Sequence, residues 1–502
     1  MNTSILKGLA VSSANYGISM SKYSQHKALI ESIFNDTGKS KRDAENLTNS
    51  LTRLTGDLYT ETERFIFELL QNADDLPNEH RKVTVKFILL EKHLLILHNG
   101  QPFNEENVDA ICKISESTKS NNPEQTGYKG IGFKSVFTDS ECVYINSGNF
   151  SFKFDRHDSR HRKLEKTPWQ IKPLWVESQE YPQEIQNCAD FFQAPVATAL
   201  RVTENQISEY KQKIKRLFND PRLILFLRHV SLIYVYGLNK SYSLNTNPCI
   251  KIEKVRQEDT YQVIQNNIKT QWLIKDYEFS VGQELREAMD NDKKVPDKLK
   301  SIQKSKLSFA AEIKDGKITP TRNSVLFTYL PTDVKEYKFP FLVNADFLTT
   351  ANRQSIHVDN VWNQFIFEKI GKLIFQWIAD LAKHENYQDF ILAILPNKFR
   401  YPTTGIEKQF NQGFNQGIET IPFIRAEEVS DLLTAKESII DETNIISLVY
   451  EENILQYLQW TNYHFVSNSL ENIQKLKNLR SVSIFTDEKL SDFGSSRVSM
   501  IN

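Results

Sequence analysis

Three side chains that carry oxygen, Glu68, Asn72 and Asp75, are spaced by four and three residues in the segment ERFIFELLQNADD. On a helix this spacing places them on one face, while Phe65 and Leu69, four residues apart, supply a row that can be buried. A carboxylate can act as a general base, and an amide oxygen can bind a hard cation such as Mg²⁺. Taken alone, the polar row is equally typical of the solvated side of an amphipathic helix.

A glycine cluster follows further along the chain, in TGYKGIGFKSVF. Gly127, Gly130 and Gly132 allow main-chain amides to approach an anion, and a loop of this kind that opens a helix is suited to phosphate. The spacing does not match the P-loop pattern GxxxxGK[ST]. Three glycines can also form only a turn, and Lys134 and Ser135 can be either phosphate ligands or ordinary first-turn residues.

Between these two segments lies a predicted strand that ends in a turn, LLILHNGQPF. A strand that stops at His98, Asn99 and Gly100 beside a cleft would let a flat base lie against the main chain. An ordinary Asn-Gly turn after an apolar strand explains the same residues.

The composition describes a globular chain. Its 502 residues suggest about three domains, and its 62 Lys and Arg against 63 Asp and Glu give a net charge of −1. This balance does not favour a protein that coats nucleic acid, although a local basic patch stays open. The cysteines lack metal-ligand spacing, and no apolar run is long enough to span a membrane. We expect a cytoplasmic protein with reduced thiols. The isolated cysteines are Cys112, Cys142, Cys188 and Cys249.

Periodicity predicts the elements around these segments. Helices are expected before residue 58, a β-hairpin turns at Glu91-Lys92, and Asn104 caps a helix. The polar stretch SESTKSNNPEQ has no periodicity, and a basic run near residue 300 is interpreted as a solvated helix face rather than a nucleic-acid patch. The ending SDFGSSRVSMIN indicates a flexible tail or a chain cut from a longer protein. The basic run comprises Lys298, Lys300, Lys304 and Lys306.

The order of the motifs resembles the GHKL superfamily of Bergerat-fold ATPases. Asn72, Gly100 and Gly130 are separated by 28 and 30 residues, in the order helix, strand-turn, polar segment, glycine loop. ELLQNADD resembles the N box, LHNGQPF the first glycine box, and TGYKGIGFKSVF the second. The amino-acid sequences of these motifs are most similar to those of the sacsin and NO VEIN type of protein. The later segment FPFLVNADFLTTANRQSI shares this similarity.

The resemblance implies an α+β fold: a Bergerat-type ATP-binding α/β sandwich, a mixed α/β middle domain and a mainly helical C-terminal region. The polar segment would be a mobile lid over the nucleotide. The corresponding boundaries are a helical segment 1–60, an ATP-binding domain 61–240, a transducer-like middle domain 241–355 and a C-terminal region 356–502.

The resemblance also implies roles for individual residues. Glu68 would be the general base, Asn72 the Mg²⁺ ligand, and Asp75 the N-box aspartate beside the nucleotide. Arg353 would reach the terminal phosphate from the following domain, with a surface or structural arginine as the alternative. The remaining ATP-binding positions would be His98, Asn99, Gly100, Lys119, Gly127, Lys129, Gly130, Ile131, Gly132, Phe133 and Thr198.

One position departs from the family pattern. The first glycine box usually begins with Asp, whose carboxylate accepts a hydrogen bond from the adenine amino group, and here that position is His98. A neutral His or Asn can also accept a hydrogen bond, so adenine recognition is retained or base selectivity is loosened.

The expected function is a Mg-ATP-binding and slowly hydrolysing conformational switch that works as a homodimer or with a partner protein. Its output would be chaperone-like remodelling or prokaryotic antiviral defence. Two alternatives stay open: a nucleotide-sensing module without turnover, which the changed His98 favours, and a nucleic-acid-remodelling ATPase of the MutL or gyrase type.

Overall fold

Two compact units make up the chain, and the division between them falls within three successive strands. The first holds the described residues up to Val255 with Val263–Lys269, and the second holds Arg256–Gln262 with the described residues from Thr270 onward. A computed structural model describes residues 23–58, 64–80, 82–113, 132–161, 166–239, 241–243, 246–350, 354–427, 429–443, 461, 463–479, 481–486, 488–489 and 491. The fold is α+β, with extensive mixed sheet and several helices.

In the first unit the strands lie in the order β8-β7-β1-β2-β6-β3-β4-β5. β1 pairs with β7 in parallel, and the other neighbours in this order pair in antiparallel fashion. The strands are β1 (Val83–Leu89), β2 (His93–His98), β3 (Cys142–Ser147), β4 (Phe150–Asp155), β5 (Leu174–Trp175), β6 (Val196–Arg201), β7 (Val230–Tyr236) and β8 (Ile250–Gln257).

The helices of this unit confirm the predicted helical segments before residue 58 and the helix that carries Glu68. The helices are α1 (23–36), α2 (Lys41–Leu58), α3 (Arg64–Asp75), α4 (Glu105–Ile111), α5 (Gln183–Gln186), α6 (Ala189–Gln193) and α7 (Glu204–Leu217), with a 3-10 helix at Gly132–Phe137. Asn104 caps α4 as predicted, since its side chain accepts the N–H of Asn107 and the Asn107 side chain accepts the N–H of Asn104.

The predicted hairpin is present, and both of its faces are covered. Every residue of β2 is buried, as expected for a strand between two layers. One face belongs to an apolar cluster that includes Leu95, Leu97, Ala197 and Ala199. Because side chains alternate along a strand, Ile96 and the residues paired with it lie on the opposite face.

Helices α3 and α7 cover that opposite face. The Phe87 ring, paired across the hairpin with Ile96, lies 4.9 Å from the Phe218 ring at the end of α7. On α3, Phe65 contacts Tyr210 of α7 with ring centroids 5.6 Å apart. The apolar residues of α3 are therefore packed beside the sheet, and the same helix carries the polar row of Glu68, Asn72 and Asp75.

The second unit combines a sheet with two long helices. Its strands follow the order β10-β11-β15-β13-β14, and β12 pairs with β11. The strands, with β9 at the division, are β9 (Thr260–Gln265), β10 (Ile268–Ser280), β11 (Lys304–Lys314), β12 (Lys317–Thr319), β13 (Leu326–Thr328), β14 (Leu330–Pro331) and β15 (Leu342–Ala345). The helices are α8 (Gln283–Asn291), α9 (Asp297–Lys300), α10 (Val361–Ala382), α11 (Gly405–Thr420) and α12 (Gln474–Lys477).

The long helices of the predicted helical region, α10 and α11, are packed closely. A Cβ on Gly413 would overlap the main-chain oxygen of Glu368, so this glycine permits the contact. Short strands follow α11, and their length leaves little periodic signal in the sequence. They are β16 (Ile424–Arg425), β17 (Leu432–Leu433), β18 (Ser438–Asp441), β19 (His464–Phe465) and β20 (Ser483–Phe485).

The helix interpretation of the basic run is wrong for two of its residues. Lys304 and Lys306 lie in strand β11, where they are exposed and alternate with buried Ser305 and Leu307. The period is therefore two, and the Lys304 ammonium pairs with Glu278 at 2.6 Å. Within the described ranges, no helix has the length and apolar character needed to cross a bilayer.

Candidate functional site

The C-terminal end of α3 is fixed by Asp74. This carboxylate is only 1% exposed and accepts three main-chain N–H groups, from Arg228 (3.0 Å), His229 (2.7 Å) and Val230 (2.8 Å). These residues lead into β7, the strand beside β1. Buried charge is stable when it is fully hydrogen-bonded, so Asp74 anchors the helix that carries Glu68 and Asn72 to the sheet.

Asp75 is engaged by an arginine that the sequence motifs did not indicate. Its side chain is buried, and its carboxylate forms an ion pair with the guanidinium of Arg228. The same guanidinium lies 3.5 Å from Asp74. Arg228 is far from α3 in sequence, and only the tertiary fold brings the three residues together.

Glu68 lies against the second glycine box. A Cβ on Gly132 would overlap the Oε2 atom of Glu68 and would come within 3.1 Å of its Cδ. The absence of a side chain at Gly132 therefore makes room for the carboxylate. Thus the fold brings together the predicted general base and the last glycine of the predicted phosphate loop.

Asn72 lies one turn beyond Glu68 on the same helix and is half-buried. Among the described residues, no group of three His, Cys, Asp or Glu side chains is arranged to hold a metal ion. Proteins commonly bind Mg²⁺ through one or two side chains together with water and phosphate oxygens, so a site of this type does not need such a group.

The turn at His98 packs directly on the residue that follows α3. The Gly100 N–H donates to Nδ1 of His98 at 3.2 Å, and the Gln101 N–H donates to the main-chain oxygen of Leu76 at 3.1 Å. A Cβ on Gly100 would overlap that Leu76 oxygen. Glycine is therefore required here by close approach, and burial lowers the pKa of His98 to about 4.

Asn99 is exposed and supports the edge of the hairpin. Its side-chain oxygen accepts the N–H of Thr84 at 2.7 Å, and its own N–H donates to the Thr84 carbonyl at 3.3 Å. The structure therefore gives Asn99 a role in the turn, and its contact with a nucleotide stays a prediction.

Thr198 lies in the middle of β6 and is buried. It pairs with Ile96 on β2 and with Ile145 on β3. His98 is two residues beyond Ile96, so the His98 and Thr198 side chains lie on the same sheet face, the one that α3 covers. His98 and Thr198, the two residues predicted to contact the base, therefore lie on the sheet face that is covered by the helix carrying Glu68.

The residues after Gly132 have structural roles. Lys134 is buried, and its ammonium donates to the main-chain oxygens of Ile111 and of Gln170, the latter at 3.0 Å. Burial lowers the pKa of Lys134 to about 8. The Ser135 hydroxyl donates to the Gly132 carbonyl at 2.6 Å. The sequence left two roles open for Lys134 and Ser135, phosphate ligand or ordinary first-turn residue. In the structure both have the first-turn role.

Phe133 is half-buried. Its ring centroid lies 6.0 Å from that of Phe137 and 6.5 Å from that of Phe154. It helps to hold the 3-10 helix against β4. The polar segment after residue 113 lies outside the described residues. So do six of the predicted site residues: Lys119, Gly127, Lys129, Gly130, Ile131 and Arg353.

The comparisons with known proteins agree with the motifs. Residues 44–248 match the family model of the Sacsin domain. Protein NO VEIN of Arabidopsis thaliana is 26% identical over 337 residues, which cover 65% of this chain and 12% of that protein. Sacsin of Homo sapiens is 33% identical over 142 residues, which cover 25% of this chain and 3% of that protein.

These matches confirm the resemblance to the sacsin and NO VEIN type of protein, and placement in the GHKL superfamily is consistent with them. The chain spans only a small part of the length of both relatives.

The buried His98 gives a testable pH dependence. Its folded pKa of about 4 lies below the ordinary value of 6.5, so the unfolded chain binds the proton first as the pH falls. The stability contribution is present above pH 6.5 and is lost as the pH falls towards 4. Between pH 7 and pH 5 the native chain should lose about 2 kcal/mol more unfolding free energy than His98→Asn.

Urea unfolding at the two pH values measures this difference. His80→Asn, at an exposed position, serves as the control and should follow the native chain. Equal losses in the native chain and in His98→Asn would contradict the burial of a neutral imidazole.

Proposed function

We propose that the chain is a Mg-ATP-binding and hydrolysing conformational switch of the GHKL class, with a Bergerat-type fold in its first unit. The observation that carries the proposal is the packing of the Glu68 carboxylate against Gly132. A general base and a glycine of the phosphate-loop motif are distant in sequence, and a hydrolase of this class needs them side by side.

The donor set fits a magnesium nucleotide. Asn72 offers an amide oxygen to Mg²⁺, and His98 and Thr198 supply polar groups on the sheet face that α3 covers. When bound, Mg²⁺ would neutralise charge on the phosphates. The predicted phosphate contacts of Gly127, Lys129 and Gly130 belong to the same proposal.

Glu68 would orient a water molecule and accept its proton. This role requires a carboxylate held in one place, because general-base catalysis depends on hydrogen-bond reach to the reacting water. The hydrogen bonds of Asp74 and the Asp75–Arg228 ion pair fix the end of α3 and thereby hold the helix in position.

The output that we propose is nucleotide-dependent rearrangement, in chaperone-like remodelling or in antiviral defence, as a homodimer or with a partner protein. Turnover would be slow. A nucleotide-sensing module without turnover is the second candidate, and the neutral, buried His98 at the usual Asp position favours it. A role in remodelling nucleic acid has no support in the net charge of −1.

A thermal-shift experiment tests the Mg²⁺-dependent part of binding. A ligand that binds only the folded chain raises its melting temperature, and the rise is larger when the ligand concentration exceeds the dissociation constant by more. With ATP, Mg²⁺ should raise the melting temperature of the native chain above the value in EDTA, and Asn72→Ala should lose this Mg²⁺-dependent increment.

Asn78→Ala is a matched control on the loop after α3, where the bonds of the Asn78 amide to described residues are all to Lys82. It should keep the Mg²⁺ increment. An undiminished increment in Asn72→Ala would remove the metal role from this residue.

A further inference from the structure

The His98 ring is fixed in one tautomer by its own turn. The Gly100 N–H donates to Nδ1, so Nδ1 carries a lone pair, and the proton of the neutral imidazole is on Nε2. Burial lowers the pKa of His98 to about 4, so the ring is neutral at pH 7. The nitrogen that is left for another molecule is therefore a hydrogen-bond donor.

Close packing holds the ring in this orientation. A Cβ on Gly100 would lie 2.8 Å from Nδ1 and 3.1 Å from Cε1 of His98, so the main chain of the turn is pressed against this edge of the ring. A flipped ring would lose its hydrogen bond to Gly100. Among the described residues, the bond to Gly100 is the one hydrogen bond that the His98 ring makes.

A carboxylate at this place would have the opposite polarity. An ionised Asp only accepts hydrogen bonds, whereas His98 with its proton on Nε2 can only donate from that atom. The 6-amino group of adenine is a donor, and two donors do not pair. A purine with an oxygen at C6 presents an acceptor, which complements the imidazole N–H. The ring nitrogens of adenine are hydrogen-bond acceptors as well, so ATP can still bind, although more weakly.

We propose that the site does not select adenine through its 6-amino group, and that it binds 6-oxopurine nucleoside triphosphates at least as well as ATP. This inference rests on the proposed nucleotide site and narrows its ligand class. The Thr198 hydroxyl, on the same sheet face, can donate or accept and therefore adapts to either base.

The test compares the dissociation constants of ATP and inosine triphosphate, which differ at C6 and N1 of the purine, in equilibrium titrations of the purified chain with Mg²⁺. The native chain should bind inosine triphosphate as tightly as ATP or more tightly. His98→Asp replaces the donor by an acceptor and should shift the ratio of the two constants about tenfold or more towards ATP. A ratio measured within one variant is insensitive to a uniform loss of affinity.

Gln101→Glu is the matched control, because it adds the same charge at an exposed position of the same turn and leaves the main-chain bond from Gln101 to Leu76 in place. Its ratio should equal the native one. A native preference for ATP of about tenfold or more would overturn the inference and leave the proposed switch intact. An unchanged ratio in His98→Asp would overturn it as well. If neither nucleotide binds, the proposed function fails and this inference fails with it.

Discussion

Glu68→Gln should lower phosphate release from ATP by about 10²- to 10⁴-fold, the usual contribution of a general base, while nucleotide binding persists. The amide has the same shape as the carboxylate, so it can keep its place against Gly132. It cannot accept a proton from water. Single-turnover phosphate release and a parallel nucleotide titration separate the two effects.

Glu79→Gln provides the control for a change of the same chemistry at an exposed position just after α3. Its phosphate release should match that of the native chain. If Glu68→Gln hydrolyses ATP at the native rate, another group activates the water, and the role given to α3 is wrong.

Asp74→Ala should lower the unfolding free energy of the first unit by about 3–5 kcal/mol. The substitution leaves the N–H groups of Arg228, His229 and Val230 without the buried carboxylate that accepts them. It also removes the side-chain bonds between Asp74 and the start of β7, while the Asp75–Arg228 ion pair remains. Urea unfolding at pH 7, followed by a signal from the first unit, measures the loss.

The control is Asp109→Ala, which removes an exposed carboxylate whose ion pair with Lys113 is 2.8 Å long. Such a pair contributes about 0.3–0.5 kcal/mol. Equal losses in Asp74→Ala and Asp109→Ala would show that the three main-chain hydrogen bonds do not hold the end of α3.

Local features of the fold were predictable from the sequence. The hairpin of β1 and β2 follows from two apolar runs with a two-residue polar break, and the cap at Asn104 follows from its residue type at the start of a helical pattern. Each depends on neighbours in sequence. Helix α3 was predictable for the same reason, since its apolar spacing is regular.

Long-range partners were not predictable. The spacing of the polar row predicts a role for Asp75. The residue that binds the three main-chain N–H groups at the start of β7 is its neighbour Asp74. Arg228, which pairs with Asp75, has no motif around it. Without the fold, one sequence cannot show which distant arginine meets which carboxylate.

Burial decided the questions that residue type left open. Lys134 after the glycine cluster has the type expected of a phosphate ligand, but its ammonium is buried on the oxygens of Ile111 and Gln170. A run of charged residues alone does not distinguish a helix from a strand, so the sequence did not identify the strand at Lys304 and Lys306. Their alternation with buried Ser305 and Leu307 is seen in the structure.

The most direct test of the central claim is an equilibrium titration of the purified native chain with ATP, in the presence of Mg²⁺ and in EDTA. The Glu68–Gly132 contact and the placement of Asn72, His98 and Thr198 predict saturable binding at one site per chain, tighter with Mg²⁺ than without it. Absence of binding by ATP and by inosine triphosphate under both conditions would contradict the proposal that these residues form a nucleotide site.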